Sequence, residues 1–402
     1  MVVLLQKQFS TKSQNMDRTI VHMDLDTFFV SCERLINSEL NGLPLIIGGA
    51  SDRGVVASCS YEARVFGVRS AMPMKYALRL CPQAKVVKGD MDLYTKQSKL
   101  VTEVIEEQAP IMEKASVDEF YLDISGMDKF FGSSKWTNEL IERVKKETGL
   151  PMSFGLSVNK TVSKMATTEG KPLGKIEVNK NFVRPFLNPL SIKKIPMLGT
   201  TTFQLLSRIG IRKIETLSEM PVEMLLKLLG KNVKELWKKA NGIEETPVEP
   251  YTERKSISTE RTFEQDSIDI IRMKGILVGM VEKLAFQLRN EQWLTSVVSV
   301  KIRYANFDTE SKQSKISFTS CDHILIEKIN SLFDILYHRR MRLRLIGVRF
   351  SGLVHGSYQI NLFEDTTEQI QLYEAIDKIK KRFGENAIKR SVGLEYNRGK
   401  KK

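Results

Sequence analysis

The first patterned stretch, Thr19–Met23, is β-branched and apolar and runs into Asp24-Leu25-Asp26. It predicts a buried strand whose C-terminal end carries carboxylates. Leu43–Ile47, ahead of Gly48-Gly49, and Val55–Ser58 predict two further short strands, and Tyr61–Phe66 predicts a helix that stops at Gly67. Tyr94–Gln108 has a helical pattern with Leu100, Val101, Val104 and Ile105 as its apolar face. Ala115–Ile124 alternates like one strand. Val117, Glu119, Tyr121 and Asp123 fall on one face; Asp118, Phe120, Leu122 and Ile124 fall on the other. Trp136–Glu147 is an amphipathic helix with Leu140, Ile141 and Val144 inward, Met152–Val158 a strand, and Lys160–Thr168 the start of a helix. This alternation around one core predicts an α+β sandwich.

Residues 181–245 change character. Short helical segments are broken by Gly199, Gly210, Pro221, Gly230 and Gly242. Residues 246–255 hold two prolines and little apolar content and read as an extended tether. A second α+β unit follows over about 256–353. Its expected strands are Ile257–Phe263, Val297–Tyr304, Ile316–Ser320 and Leu345–Ser351; its expected helices are Ile268–Asn290 and Ile324–Tyr337. The tail over 356–402 has one helical stretch, Glu368–Phe383.

Charge sharpens this division. Lys and Arg number 62 against 48 Asp and Glu, a net +14 over 402 residues. Residues 1–180 hold 24 basic and 22 acidic side chains, and the rest of the chain holds the other 38 and 26. A nearly neutral first part and a basic second part suggest that one does chemistry and the other grips a polyanion. No apolar run is long enough for a membrane span, and residues 1–15 lack the layout of a secretory signal. Cys32, Cys59, Cys81 and Cys321 form no C-x-x-C pair, and the four histidines have no ligand spacing. A reducing cytoplasm is the expected setting.

Two acidic clusters carry the candidate chemistry: Asp24 with Asp26, and Asp118 with Glu119. Carboxylates set in apolar strands are expensive to bury without a cation, and hard oxygen ligands suit magnesium. Two such ions about 3.5–4 Å apart serve phosphoryl transfer. Exposed strand-end acids paired with lysines would give a similar pattern, and that alternative stays open. Tyr61 and Arg64, three apart at a helix start, and Lys160, at another, could meet the same triphosphate.

Four segments in order, Val21–Glu33, Ser60–Pro73, Ser116–Asp123 and Ser153–Thr167, closely resemble the Y-family DNA polymerases of the polymerase IV branch. With weaker likeness elsewhere, the resemblance covers about 17–355. It implies a right-hand polymerase of α+β class. The ferredoxin-like palm would span 17–28 and 80–180, small fingers 29–79, a helical thumb 181–245, a linker 246–255 and a separate little finger 256–355. Residues 1–16 would be an extension, and 356–402 a clamp-binding tail. The implied metal ligands are Asp24, Asp118 and Glu119, with the main-chain carbonyl of Leu25. Phe29 matches the steric gate against a ribose 2′-OH, and Phe28 its neighbour near the triphosphate. Tyr61, Arg64 and Lys160 match triphosphate contacts, and Ser58 a further hydroxyl contact. Asp26 and Asp123 read as structural or outer-shell residues.

The implied activity is template-directed, low-fidelity addition of deoxynucleotides to a primer 3′-OH with two magnesium ions, in translesion synthesis. Expected partners are primer-template DNA, deoxynucleoside triphosphates and a sliding clamp, with the chain itself a monomer. In the second unit the alternation puts Lys301, Arg303, Ser317, Thr319, Arg349 and Ser351 on one sheet face, opposite an apolar one, as a phosphate backbone requires. Gln359, Leu362 and Phe363 resemble a clamp-binding peptide. Met197 stands where the thumb hairpin would usually carry its first glycine, which weakens that phosphate-binding turn. The competing readings are a non-catalytic accessory protein that binds DNA and the clamp, and another palm-type two-metal enzyme such as a nucleotide cyclase.

Overall fold

The structure, a computed structural model, describes residues 18–49, 51–127, 132–356 and 367–393. The expected extension over 1–16 and the motif residues Gln359, Leu362 and Phe363 lie outside them. The chain divides after Thr252 into two units. The first begins with β1 (Ile20–Leu25), α1 (Phe28–Ile36), β2 (Leu45–Gly48), β3 (Val56–Cys59), α2 (Tyr61–Val65), α3 (Met74–Leu80), β4 (Lys85–Val87) and α4 (Met91–Glu106). It continues with β5 (Met112–Lys114), β6 (Glu119–Asp123), α5 (Ser133–Thr148), β7 (Met152–Ser157), α6 (Lys160–Gly170) and β8 (Lys175–Glu177). Five short helices complete it: α7 (Val183–Leu187), α8 (Thr200–Arg208), α9 (Ile214–Glu219), α10 (Val222–Leu229) and α11 (Val233–Ala240).

The main sheet has the order β5-β6-β1-β7-β8, antiparallel except for β7 with β8. Its first four strands follow the ferredoxin-like arrangement. β1 is central and buried on both faces. Val21, Met23 and Leu25 join a core with Phe120 and Leu122 of β6, Phe154 of β7, Tyr94 and Val101 of α4, and Leu140 and Val144 of α5. Ile20, His22 and Asp24 point the other way, toward α6. There Ser163 Oγ donates to Ile20 O at 2.8 Å, and His22 Nδ1 lies 2.9 Å from Thr167 Oγ1. Gly155 lets α6 approach this closely, because a Cβ on it would lie 2.2 Å from Ser163 O and 2.5 Å from Thr167 N. Val162, Met165 and Ala166 of α6 also join the core of the five short helices.

Three expectations need correction. The run Ala115–Ile124 is not one strand: β5 and β6 form a hairpin, and Ser116 turns the chain by accepting from Glu119 N at 3.0 Å. Leu100 of α4 is exposed, and its inward place goes to Tyr94 and Ser98, since the buried stripe of the helix lies a little to one side. The expected tether is fastened to the sheet as far as Glu249. Arg18 donates to Thr246 O at 2.9 Å, Glu249 N donates to Glu113 Oε2 at 2.8 Å, and Val248 is buried against Ile20 and Tyr121. A single docked valine between two prolines leaves no periodic trace in the sequence. Met197 has φ 73 and is almost fully exposed, so the turn before α8 keeps a left-handed residue that glycine would fill with less strain.

The second unit comprises β9 (Ser256–Ser267), α12 (Ile270–Asn290), β10 (Trp293–Tyr304), β11 (Thr309–Thr319), α13 (Asp322–Leu336), β12 (Leu343–His355) and α14 (Thr367–Phe383). Its antiparallel sheet has the order β11-β10-β12-β9. Val298, Val300, Ile302 and Tyr304 of β10 face α12 and α13 in one core. Arg289 of α12 ties α14 to this unit. It donates to both oxygens of Asp377 at 2.6 and 3.0 Å, to Asp322 at 2.6 Å and to Ser320 O at 2.7 Å, all within the protein interior. Among the described residues no helix is long and apolar enough to cross a membrane.

Gly155→Ala is expected to cost about 3 kcal/mol, since backbone of α6 must move to admit the methyl group. Urea unfolding of the purified variant measures this; a cost below about 0.5 kcal/mol would mean that α6 is not held against β7 as described.

Candidate active site

The C-terminal end of β1 gathers the acidic side chains. Asp24 lies opposite Glu119 of β6 and Ser153 of β7 in the two ladders, so all three share the face toward α6. Asp118 immediately precedes β6, and its carbonyl accepts from Leu25 N at 3.0 Å. Its carboxylate is steadied by Ser116 Oγ, which donates to Oδ1 at 2.5 Å. Two adjacent strand ends thus deliver three carboxylates, and cations answer two of them. Lys171 Nζ bonds Asp24 Oδ1, and Lys164 Nζ donates to both oxygens of Glu119 at 2.7 and 2.6 Å. Burial pushes the Asp24 carboxyl up to about 7; Glu119 and Asp118 add to this and Lys171 opposes it. Among the described residues no three acidic, histidine or cysteine side chains converge as a ready cation cage; Asp24 and Glu119 turn to their lysines instead.

A cavity of about 160 Å³ opens beside Asp24. Its wall brings together Asp24, Leu25, Phe28, Phe29, Ser58, Arg64 and Asp118, together with Thr27, Ala57, Ser70 and Lys171. Phe28 and Phe29 open α1 directly after Thr27, which has φ 44. The Phe29 ring stacks on Tyr94 of α4 at 4.2 Å between centroids and 11° between planes. The Tyr94 hydroxyl is itself anchored, donating to Glu33 at 2.5 Å. Across the cavity, Ser60 caps α2 by accepting from Ala63 N at 3.3 Å, and the Arg64 guanidinium lies 5.0 Å over the Tyr61 ring.

Three expected residues are not in the wall. Glu119 stays on the ladder with Lys164. Tyr61 donates its hydroxyl to Asp26 at 3.1 Å. Lys160 is the clear departure. Its ammonium donates to both oxygens of Glu113 at 2.7 Å, lies 4.8 Å over the Tyr121 ring and reaches Pro247 O at 3.5 Å. From the first turn of α6 it meets the β5–β6 hairpin and the fastened 246–249 segment, not the cavity. Lys171, just past the other end of α6, lines the cavity in its place. The turn Lys171-Pro172-Leu173-Gly174 was the available signal for it. Tyr94, the platform under Phe29, carried no signal beyond its place in a helix.

In the second unit, Lys301, Arg303, Arg349 and Ser351 lie on the sheet face turned away from α12 and α13. Lys301 pairs with Glu260 at 2.8 Å and Arg303 donates to Thr309 at 2.8 Å. Thr319 does not join them. The register shifts between Thr295 and Val297, which face Thr319 and Lys315, so β11 holds extra residues there. Thr319 turns inward and accepts from Cys321 N at 3.0 Å, while Phe318 is exposed and Ser317 sits within the irregularity. Lys315 takes the outward position across from Val297.

Known proteins with this arrangement identify the lineage. The impB/mucB/samB family matches residues 23–168, and the C-terminal domain of that family matches 254–362. A DNA polymerase IV of Dehalococcoides mccartyi is 34% identical over 375 residues, 92% of this chain and 96% of that protein. A DNA polymerase IV of Treponema denticola is 32% identical over 379 residues, 93% and 96% of the two chains. This chain belongs to the Y-family DNA polymerases. Among solved structures, the Y-family DNA polymerase chimera Dbh-Dpo4(243-245)-Dbh superposes with a TM-score of 0.74 at 25% identity, covering 84% of this chain and all of that one. Dbh DNA polymerase in an insertion ternary complex gives 0.63 at 24% identity, a likeness of fold. The Y-family matches therefore include the segment from Asp24 to Thr168 that holds the acidic strand ends.

Proposed function

We propose that this chain, a DNA-directed DNA polymerase by family, adds deoxynucleotides to a primer 3′-OH at the cavity beside Asp24, with low fidelity and in translesion synthesis. One observation carries the reading: Asp24 lies across from Glu119 and next to Asp118, at the foot of a cavity with the Phe28-Phe29 pair on one side and Ser58 and Arg64 on the other. The sheet unit supplies the palm (17–28 and 80–180), residues 29–79 the fingers, 181–245 the thumb and 256–355 the little finger. The linker proper then begins after Glu249.

The donor set fits magnesium. It consists of carboxylates and a main-chain carbonyl, all hard oxygens, and burial leaves Asp24 in want of a positive charge. Asp24, Asp118, Glu119 and the carbonyl of Leu25 would hold two ions. Bound there, the ions supply charge stabilisation for the attacking hydroxyl and the leaving pyrophosphate. Lys171 and Lys164 balance the charge of Asp24 and Glu119. Arg64 clamps phosphate oxygens through its planar fork. Lys171 takes the triphosphate role expected of Lys160. Phe29, braced by Tyr94, fills the space a 2′-hydroxyl would need. The outward Lys301, Arg303, Arg349 and Ser351 hold the template-primer backbone, and the segment with Gln359, Leu362 and Phe363 takes a sliding clamp. The chain acts as a monomer in the cytoplasm.

Asp118→Ala or Glu119→Ala is expected to abolish magnesium-dependent primer extension while primer-template affinity stays within about threefold. Extension at the wild-type rate would refute the site. Phe29→Ala is expected to admit ribonucleotides in single-nucleotide insertion, and unchanged sugar selectivity would remove the gate role. Deletion of Gln359–Phe363 is expected to abolish stimulation by the clamp and spare basal synthesis; stimulation that survives would place the clamp contact elsewhere.

A further inference from the structure

Asp26 is 2% exposed, yet its side-chain partners among the described residues are neutral donors. Oδ1 accepts from Tyr61 OH at 3.1 Å, and Oδ2 accepts from Ser153 Oγ and from Leu173 N, each at 2.8 Å. A carboxyl group is costly to desolvate and is kept buried where its hydrogen-bonding capacity is met. The three donors come from three different places: α2, β7 and the turn that follows α6.

Two of those places carry a cation of the cavity wall. Arg64 is one turn beyond Tyr61 on α2, its guanidinium over the Tyr61 ring. Lys171 is two residues before Leu173 and reaches Asp24. Burial, and after it the Asp26 charge, push the Tyr61 phenol well above its ordinary range, so it stays a donor. The backbone at the Leu173 contact and beside Asp26 itself is also held against preference. Leu173 has φ 54 and Thr27, next to Asp26, has φ 44, each a left-handed conformation disfavoured for a non-glycine residue. The hydrogen bond from Leu173 N to Asp26 is one of the contacts that hold that turn.

We propose that Asp26 is a positioning residue for nucleotide binding: by gripping α2 and the 171–174 turn at once, it sets Arg64 and Lys171 at a fixed separation across the cavity. It does so without touching the nucleotide. The proposal rests on the reading of the cavity as the triphosphate site. It makes one carboxylate the common anchor of the fingers-side and palm-side cations.

The test is single-nucleotide insertion kinetics on a primed template. Asp26→Ala is expected to raise KM for the incoming nucleotide about tenfold or more with kcat changed less than about threefold. Asp26→Asn is expected to recover most of this. Its carbonyl can serve Leu173 N and Ser153, and its amide can donate to the rotatable Tyr61 hydroxyl. In a Lys171→Ala, Arg64→Ala background, Asp26→Ala is expected to add less than about twofold, as coupled residues do. A cooperatively melting Asp26→Ala protein with intact primer-template affinity and wild-type KM would overturn the proposal. So would a loss shared equally by kcat and DNA affinity and not recovered by asparagine. If Asp26→Ala does not fold, Tyr61→Phe alone decides: a raised KM at retained kcat supports the anchor, and an unchanged KM refutes it. Lys171→Ala and Arg64→Ala distinguish the two levels. If neither raises KM, the cavity reading itself fails; if both do and Asp26→Ala does not, only the anchor fails.

Discussion

The antiparallel pairing of Asp24 with Glu119 governs the rest of the first unit. Like charges directly opposite in a ladder repel, and burial strengthens the effect by removing water. The fold therefore has to bring positive charge to this one spot. Lys164 comes from the middle of α6 and Lys171 from the turn beyond it. Two acids kept face to face at a strand end thus depend on the lysines that reach them.

Helix α6 is the means of delivery. It lies close against β7 because Gly155 has no side chain, and it is pinned to β1 through Ser163 and Thr167. Its start and its end then do different work. Lys160 at the start clasps Glu113 and the 246–249 segment, fixing where the linker leaves the sheet. Lys171 past the end faces the cavity. Both are lysines beside helix termini, and only the partner each reaches separates them.

The second unit relies on a different balance. Its sheet buries an apolar face under α12 and α13 and leaves a basic, hydroxylic face outward. The buried Arg289 carries α14 by ion pairs with Asp322 and Asp377. Breaking one partner of such a pair is costly because the other charge stays buried. Consistent with this, α14 buries Tyr373, Asp377 and Lys380 while Leu372, Ile379 and Phe383 remain exposed.

Sequence alone determined the features that repeat with a local period. These are the two α+β units, the continuous apolar run of β1, the alternation of β10 and β12, the helical break-up of 181–245 and the placement of acids at strand ends, because side-chain direction in a strand or helix follows from spacing. Only the tertiary structure decided the pairings. It made 115–118 the turn between β5 and β6, turned Thr319 inward at a register shift, fastened the segment through Glu249, put Tyr94 under Phe29, and set Lys171 in the cavity wall while Lys160 meets Glu113. Each of these depends on where distant segments meet, and one bulge, turn or docked valine can change that without altering the pattern along the chain.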